Sequence, residues 1–230
     1  MTKVSLAKSK LTKLQQDFLN AFFQRESLFF LTGGAALAGF YLGHRETHDL
    51  DLFTVTDALE DGLAATADIA RQFGASLESI QTAPEFRRLL MRRGSEAIVI
   101  DLVRDRSPQV DNEKSVINGI RIDTPGEILA NKLCALLSRS EIRDLVDVRA
   151  LELSGYKVED AISAAAKKDA GLTAAQLGWV LHQVELANDA VLPGNVEVDA
   201  LRLYLADLIA RLGRLAFPGQ ASGPRLSESD

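Results

Sequence analysis

Residues 48–55 read HDLDLFTV, polar and apolar in alternation, with β-branched and aromatic residues at the end. A period of two is the mark of a strand with one buried face, and it dictates where the side chains go. Asp49 and Asp51 project to one side and Leu50 and Leu52 to the other. Carboxylates held side by side repel each other unless a cation compensates them. The strand therefore calls for a bound metal or a fixed positive partner.

The flanking sequence supplies a setting for that strand. Leu11, Leu14, Phe18 and Phe22 recur at helical spacing, which predicts an amphipathic helix ending near Gln24. The short apolar run SLFFLT, Ser27 to Thr32, is bounded by Gly33-Gly34 and reads as a buried strand, with a helix over Ala35 to Leu42 behind the glycine turn. A further helix is expected from Ala58 to Phe73, stopped by Gly74. Phe86 to Arg93 and Ala97 to Val103 then form two arms of a hairpin around Gly94-Ser95-Glu96, with Asp101 on the second arm.

From Asp123 the pattern becomes helical. Thr124-Pro125-Gly126-Glu127 combines a capping Thr, a Pro at the first helical position and a Glu three residues on. More helices are expected at about Glu141 to Leu153, Val158 to Lys168, Thr173 to Asn188 and Val196 to Leu215. The reading is thus an α/β core over 1–123, a helical domain over 124–217, and a disordered tail over 218–230, rich in Gly, Ser and Pro.

Composition removes several function classes. With 230 residues and a formal charge of −6, the chain is not one that coats nucleic acid by bulk positive charge, so any nucleic acid must be gripped locally. No stretch approaches the roughly 20 apolar residues of a membrane span, and no signal-peptide core follows the N-terminal lysines. The lone Cys134 lies in an apolar helical run and reads as a buried, inert thiol, which suits the cytoplasm. His44, His48 and His182 have no metal-ligand spacing.

The chemistry is concentrated in Gly33-Gly34, fourteen intervening residues, and Asp49-Leu50-Asp51. Carboxylate oxygens suit a hard divalent cation, magnesium or alternatively manganese, which is commonly shared with substrate phosphates. The glycines let backbone approach a triphosphate closely, and the helix after them aims free N–H groups at it. Asp101, within IVIDLV, is a charge among strong strand formers and needs a partner once buried. That partner is an arginine or, if its strand lies beside that of Asp49 and Asp51, a metal held by three carboxylates. Lys132 sits on an apolar helix face, where it must snorkel, pair with a carboxylate such as Asp144, or meet an anionic ligand. Arg87, Arg88, Arg92 and Arg93 make one strand arm basic, either as a solvated face or as a phosphate grip for an RNA acceptor.

The run LTGGAALAGFYLGHRETHDLDLF, with Asp101 and KLCALLSRSEIRDLVDV after it, resembles the AbiEii/AbiGii-type toxin family of the DNA polymerase β nucleotidyltransferase superfamily. The likeness spans roughly Leu31 to Ala150. Gly33, Gly34, Arg45, Asp49 and Asp51 fit the family pattern; Thr47 stands where Ser is usual and keeps the hydroxyl. Lys132 and Arg143-Asp144 match the later motif, whereas Val146 replaces the frequent aromatic residue before Asp147. The resemblance implies a polymerase β-like core with a small mixed sheet, followed by a helical domain. It implies transfer of a nucleoside monophosphate from an NTP to an acceptor, tRNA or another RNA. Asp49, Asp51 and Asp101 would hold the metals, Asp101 would activate the acceptor hydroxyl, and Gly33, Gly34, Arg45 and Thr47 would bind the nucleotide. Lys132 would meet the nucleotide and stabilise developing charge beside Asp144. A toxin's role with a cognate antitoxin is implied as well. The same core would also serve modification of a small molecule such as an antibiotic, or a catalytically weak module that binds nucleotide or a partner.

Overall fold

A computed structural model describes residues 9–218, and all but the first residue of the expected tail, 218–230, lies outside the described residues. The chain divides into two compact units between Asn131 and Lys132, inside the helix that begins at Pro125.

The first unit is a mixed sheet with helices. α1 (Lys13–Phe23) starts with a capping box: Gln15 N–H donates to the Thr12 hydroxyl at 3.2 Å, and Thr12 N–H donates to Gln15 Oε1 at 2.8 Å. β1 (Phe29–Thr32) runs into a single α-turn, α2 (Gly33–Ala36), which widens into a π-turn over Leu37–Tyr41. The expected helix over Ala35 to Leu42 is thus present but starts earlier and is underwound, with Leu42 N–H reaching Leu37 O at 2.7 Å. β2 (Asp49–Thr54), α3 (Leu59–Phe73), β3 (Ser76–Ala83), β4 (Phe86–Arg93) and β5 (Glu96–Arg104) follow, then the short β6 (Ser115–Ile117) and β7 (Ile120–Ile122).

The seven strands run in the order β3-β4-β5-β2-β1-β7-β6. β2 pairs parallel with β5 and β1 parallel with β7; the other pairings are antiparallel. One face of the sheet is the core. Phe29, Leu31, Leu50, Leu52, Leu89, Met91, Ile98, Ile100 and Leu102 are buried there, beside Leu14, Phe18 and Phe22 of α1 and Ile69 of α3. The Phe22 and Phe29 rings meet edge to face with centroids 5.4 Å apart. The strand periodicity thus sends every second residue into this layer and leaves its neighbours on the opposite face.

Three strands were not expected from sequence. β3, SLESIQTA, is an edge strand with a bulge between Ser79 and Gln81, and it is mostly solvent-exposed, so it carries little apolar alternation. β6 and β7 form a hairpin about Asn118-Gly119, both with positive φ (52° and 80°), the conformation that Asn-Gly favours. Glu127 also departs from expectation. Thr124 caps α4 (Pro125–Arg139) by accepting from Glu127 N–H at 3.1 Å, but the Glu127 carboxylate accepts from the N–H groups of Val110 and Asp111, at 2.7 and 2.8 Å. It pins the loop before β6 rather than closing the box. Lys114 fastens the same loop, 2.6 Å from Asp123 Oδ1 and 4.4 Å above the Phe30 ring. Burial pushes the Asp123 carboxyl up from its ordinary range despite that ammonium.

The second unit contains α5 (Ile142–Leu153), α6 (Val158–Lys168), α7 (Ala174–Leu181) and α8 (Val198–Ala216). Arg211 of α8 joins Glu152 of α5 at 2.6 Å and Glu159 of α6 at 2.7 Å, and the Tyr204 hydroxyl donates to Glu152 at 2.7 Å. α7 stops at Leu181, short of the expected Asn188. The Leu186 carbonyl and the Asn188 side chain are taken instead by Arg202 of α8. Cys134 is half-buried, with its thiol 3.6 Å from Ala165 O. No helix among the described residues is long and apolar enough to cross a membrane.

Phe22, fully buried, stacked on Phe18 and edge to face with Phe29, gives a direct check of this core. Phe22→Ala is expected to destabilise the protein by about 3–5 kcal/mol, read from urea denaturation, whereas a loss below about 1 kcal/mol would contradict the packing.

Candidate active site

The sheet face opposite the core carries the carboxylates. Asp49, Asp51 and Phe53 of β2 lie in register with Val99, Asp101 and Val103 of β5, so Asp51 and Asp101 are direct cross-strand partners. Paired strands lie about 4.7–4.9 Å apart, and partner side chains share a face. Three carboxylates predicted from separate stretches of sequence therefore stand together on one surface. Asp49 and Asp51 are half-buried, whereas the Asp101 side chain is only 7% exposed.

The two glycines close one side of this surface. Gly33 has a φ of +63°, and a Cβ there would fall 2.2 Å from Asp51 Oδ2. Gly34 is constrained by a different neighbour: its Cβ would fall 2.5 Å from Arg45 Nη2. Both positions are thus restricted by close approach of a charged side chain, Gly33 by handedness as well. Arg45 and Thr47 are buried in the loop before β2. Arg45 donates to Glu46 O at 3.0 Å, Thr47 Oγ1 donates to Asp49 O at 3.4 Å, and Gln15 of α1 donates to Thr47 O at 2.9 Å. That loop is fixed from three directions, and with it the start of β2.

Strand alternation sorts the four arginines of β4. Arg87 points away from the carboxylates and reaches Glu60 at 2.6 Å; Arg93 joins Asp17 at 3.1 Å and lies over the Phe73 ring. These two hold structure, and are neither the solvated face nor the phosphate grip that the sequence left open for the cluster. Arg88 is the cross-strand partner of Asp101 and grips it with both arms, Nε to Oδ1 at 2.9 Å and Nη2 to Oδ2 at 2.7 Å. These hydrogen bonds, helped by the charges of Asp101, Asp49 and Asp51, raise the Arg88 pKa further above its ordinary value. Arg92 lies on the same face and is exposed. Sequence reasoning did not single out Arg88; the signal available was its position two residues from Leu90 and four from Arg92 on an alternating strand opposite Asp101.

Among the described residues no three His, Cys, Asp or Glu side chains are gathered into a metal cluster, and Asp101 is given to Arg88. The donor set nevertheless suits a hard cation. It is made of carboxylate oxygens, on adjacent strands and on one face, beside a glycine whose missing Cβ leaves room at Asp51.

In the second unit Lys132 lies between Asp144, at 2.6 Å, and Asp147, at 2.7 Å, with all three buried. Burial opposes the Lys132 charge, but the attraction of Asp147 and Asp144 outweighs it and lifts the ammonium above the usual lysine range. The Asp144 carboxylate also accepts from Arg139 at 2.9 Å, while Arg143 pairs with Glu141 instead. Of the two later motif residues, Lys132 and Asp144 are therefore partners of each other, and Asp147, whose role sequence left open, is the third member.

The sequence model described as "Nucleotidyl transferase AbiEii toxin, Type IV TA system" matches residues 17–218 of this chain. Among solved structures, JHP933 from Helicobacter pylori is similar with a TM-score of 0.58 at 19% identity, over 88% of this chain and 90% of that one. A second Helicobacter pylori structure, provisionally titled a nucleotidyltransferase, has a TM-score of 0.57 at 16% identity, over 92% of this chain and 100% of that one. These two likenesses show the fold. No curated protein matches the chain.

The Lys132 cluster makes a strong stability prediction. Lys132→Met would leave two buried carboxylates without their shared cation and is expected to cost about 3–5 kcal/mol in chemical denaturation, since a broken buried pair strands its remaining charges. A variant as stable as the wild type would show that the carboxylates find other compensation.

Proposed function

Because this chain belongs to the AbiEii family of nucleotidyltransferase toxins, we propose that it moves a nucleoside monophosphate from an NTP to an RNA acceptor, tRNA above all, and that this reaction makes it toxic. The observation that carries the reading is the register of β2 against β5, which sets Asp51 beside Asp101 with Asp49 on the same face and Gly33 against Asp51.

Asp49, Asp51 and Asp101 would hold magnesium or manganese, which when bound supplies positive charge to the phosphates. The chain's own residues do the rest. The Gly33-Gly34 turn offers backbone N–H groups without side chains in the way, so the triphosphate can lie against it. Arg45, whose guanidinium lies against Gly34, and Thr47 shape the loop that presents this turn and β2, and in this reading they would bind or brace phosphate oxygens. The acceptor hydroxyl oxygen attacks the α-phosphorus, the bond to the bridging oxygen breaks, and pyrophosphate departs; Asp101 orients that hydroxyl and takes its proton. Lys132 and Asp144, which the family pattern also marks, are taken up with each other and with Asp147 inside the second unit, and this reading gives them the structural role of that cluster.

An RNA acceptor is favoured by Arg92. It is exposed on the carboxylate face of β4, which gives an anionic chain a local grip in a protein whose formal charge is −6. The family's toxin–antitoxin description further supports a cognate antitoxin.

The test is incubation with each α-labelled NTP, magnesium and total tRNA, comparing the wild type with Asp49→Ala and Asp51→Ala. Transfer of label to tRNA is expected in the wild type, with a loss of about a hundred- to a thousandfold in each variant, the scale of removing a principal charge-stabilising group. Label surviving both substitutions would refute the mechanism, and label found only on small molecules would move the acceptor to that class. Arg92→Ala is expected to weaken tRNA binding and to reduce the slope of log affinity against log salt by about one. An unchanged slope would remove Arg92 from the acceptor path.

A further inference from the structure

The Asp101–Arg88 pair is better made than the proposed metal site requires. An isolated aspartate on β5 needs only one compensating charge, and many surface aspartates obtain it from a mobile lysine. Asp101 instead has both oxygens occupied by a planar guanidinium in a two-bond fork, on a side chain that is itself only 7% exposed. The fork comes from the directly paired position on β4, so it is built by the sheet and needs no loop to close over it. Arg88, at 39% side-chain exposure, remains open to solvent on its other edge. One partner is thus fixed and buried, while the other is partly exposed and otherwise lies over the Phe86 ring, 5.6 Å from its centroid.

Resting on the reading of Asp49, Asp51 and Asp101 as metal ligands, we infer that Arg88 is a displaceable counter-ion which occupies Asp101 until a divalent cation competes for it. The guanidinium and the cation seek the same carboxylate and repel each other, so they exclude one another at Asp101. With Arg88 engaged, Asp101 is withheld and only Asp49 and Asp51 face an incoming ion. With Arg88 released, the third carboxylate joins them. The freed guanidinium stays on the carboxylate face, on the same strand as Arg92, where anionic substrate is expected. Arg88 is therefore a positioning residue: it sets when Asp101 becomes available, and it spares the resting protein an uncompensated buried charge.

Direct titration with Mn2+, without nucleotide or RNA, tests this by electron paramagnetic resonance of the free ion. Arg88→Met is expected to bind Mn2+ at least tenfold more tightly than the wild type, and Arg88→Lys, which keeps the charge but loses the fork, to fall between them. Melting in chelator should be lower for Arg88→Met, and saturating Mn2+ should raise it by more than it raises the wild type. A brace with no part in metal binding would lower the melting temperature and leave Mn2+ affinity unchanged. Equal or weaker affinity in Arg88→Met, with binding still abolished by Asp51→Ala, overturns the role of Arg88 and leaves the carboxylate site standing. Absence of Mn2+ binding in both the wild type and Arg88→Met overturns the metal site and this inference together. Should Arg88→Met fail to fold even with Mn2+, the lysine variant decides: affinity no tighter than the wild type overturns the proposal.

Discussion

The parallel pairing of β2 with β5 is the constraint on which the rest of the first unit depends. The two strands are separated in sequence by α3 and the β3–β4 meander, and their register is fixed by what lies beneath. Leu50, Leu52, Ile100 and Leu102 are fully buried on the core face. A slip of one residue in β2 would exchange Leu50 and Leu52 for Asp49 and Asp51, and a slip in β5 would turn Asp101 inward, in either case placing carboxylates in an apolar layer. The hydrophobic effect thus sets the geometry of the carboxylate face indirectly: the carboxylates stand together because their neighbours cannot go anywhere else. Gly33 then extends the constraint to β1, since its backbone can press on Asp51 only where β1 and β2 pair with Thr32 opposite Asp51.

This explains which parts could be read from sequence. β2 was legible because its alternation is complete over several residues, and β5 because its apolar run is interrupted only by Asp101. The family resemblance, borne out by the match over residues 17–218, brought the glycines and aspartates into one motif. β3 was invisible for the converse reason: an edge strand exposed on most of its length has no buried face to write into its sequence. The β6–β7 hairpin is a different failure, since Asn118-Gly119 between Val116-Ile117 and Ile120 is an available turn signal that the short strands masked. The π-turn after Gly34 leaves no comparable trace. No local propensity distinguishes Leu37–Tyr41 from an ordinary helical turn.

The arginines of β4 show what periodicity can supply once an element is known. As a cluster they suggested either solvation or a phosphate grip. On the strand they separate into Arg87 and Arg93, which reach Glu60 and Asp17 on the core side, and Arg88 and Arg92, which share the face of the aspartates. Composition counts four positive charges; the pleat divides them by function. The basic content of a strand is therefore informative only after its face is assigned, and here half of it holds the sheet to α3 and α1.

Two buried cation–carboxylate systems in this chain use the same forces to opposite ends. Lys132 has Asp144 and Asp147 around it, and Arg139 adds a second hold on Asp144, so removing any member strands charge in a closed setting. Such a cluster resists change, and its worth lies in fixing α4 to α5 in one arrangement. The Arg88–Asp101 pair is comparably short but open on the arginine side, and other carboxylates wait beside it. There, replacing one cation by another leaves no charge stranded. Whether a buried ion pair locks a fold or serves as an exchangeable site thus turns on the exposure of the cation and on the chemistry of what can replace it, more than on the distance between the charges.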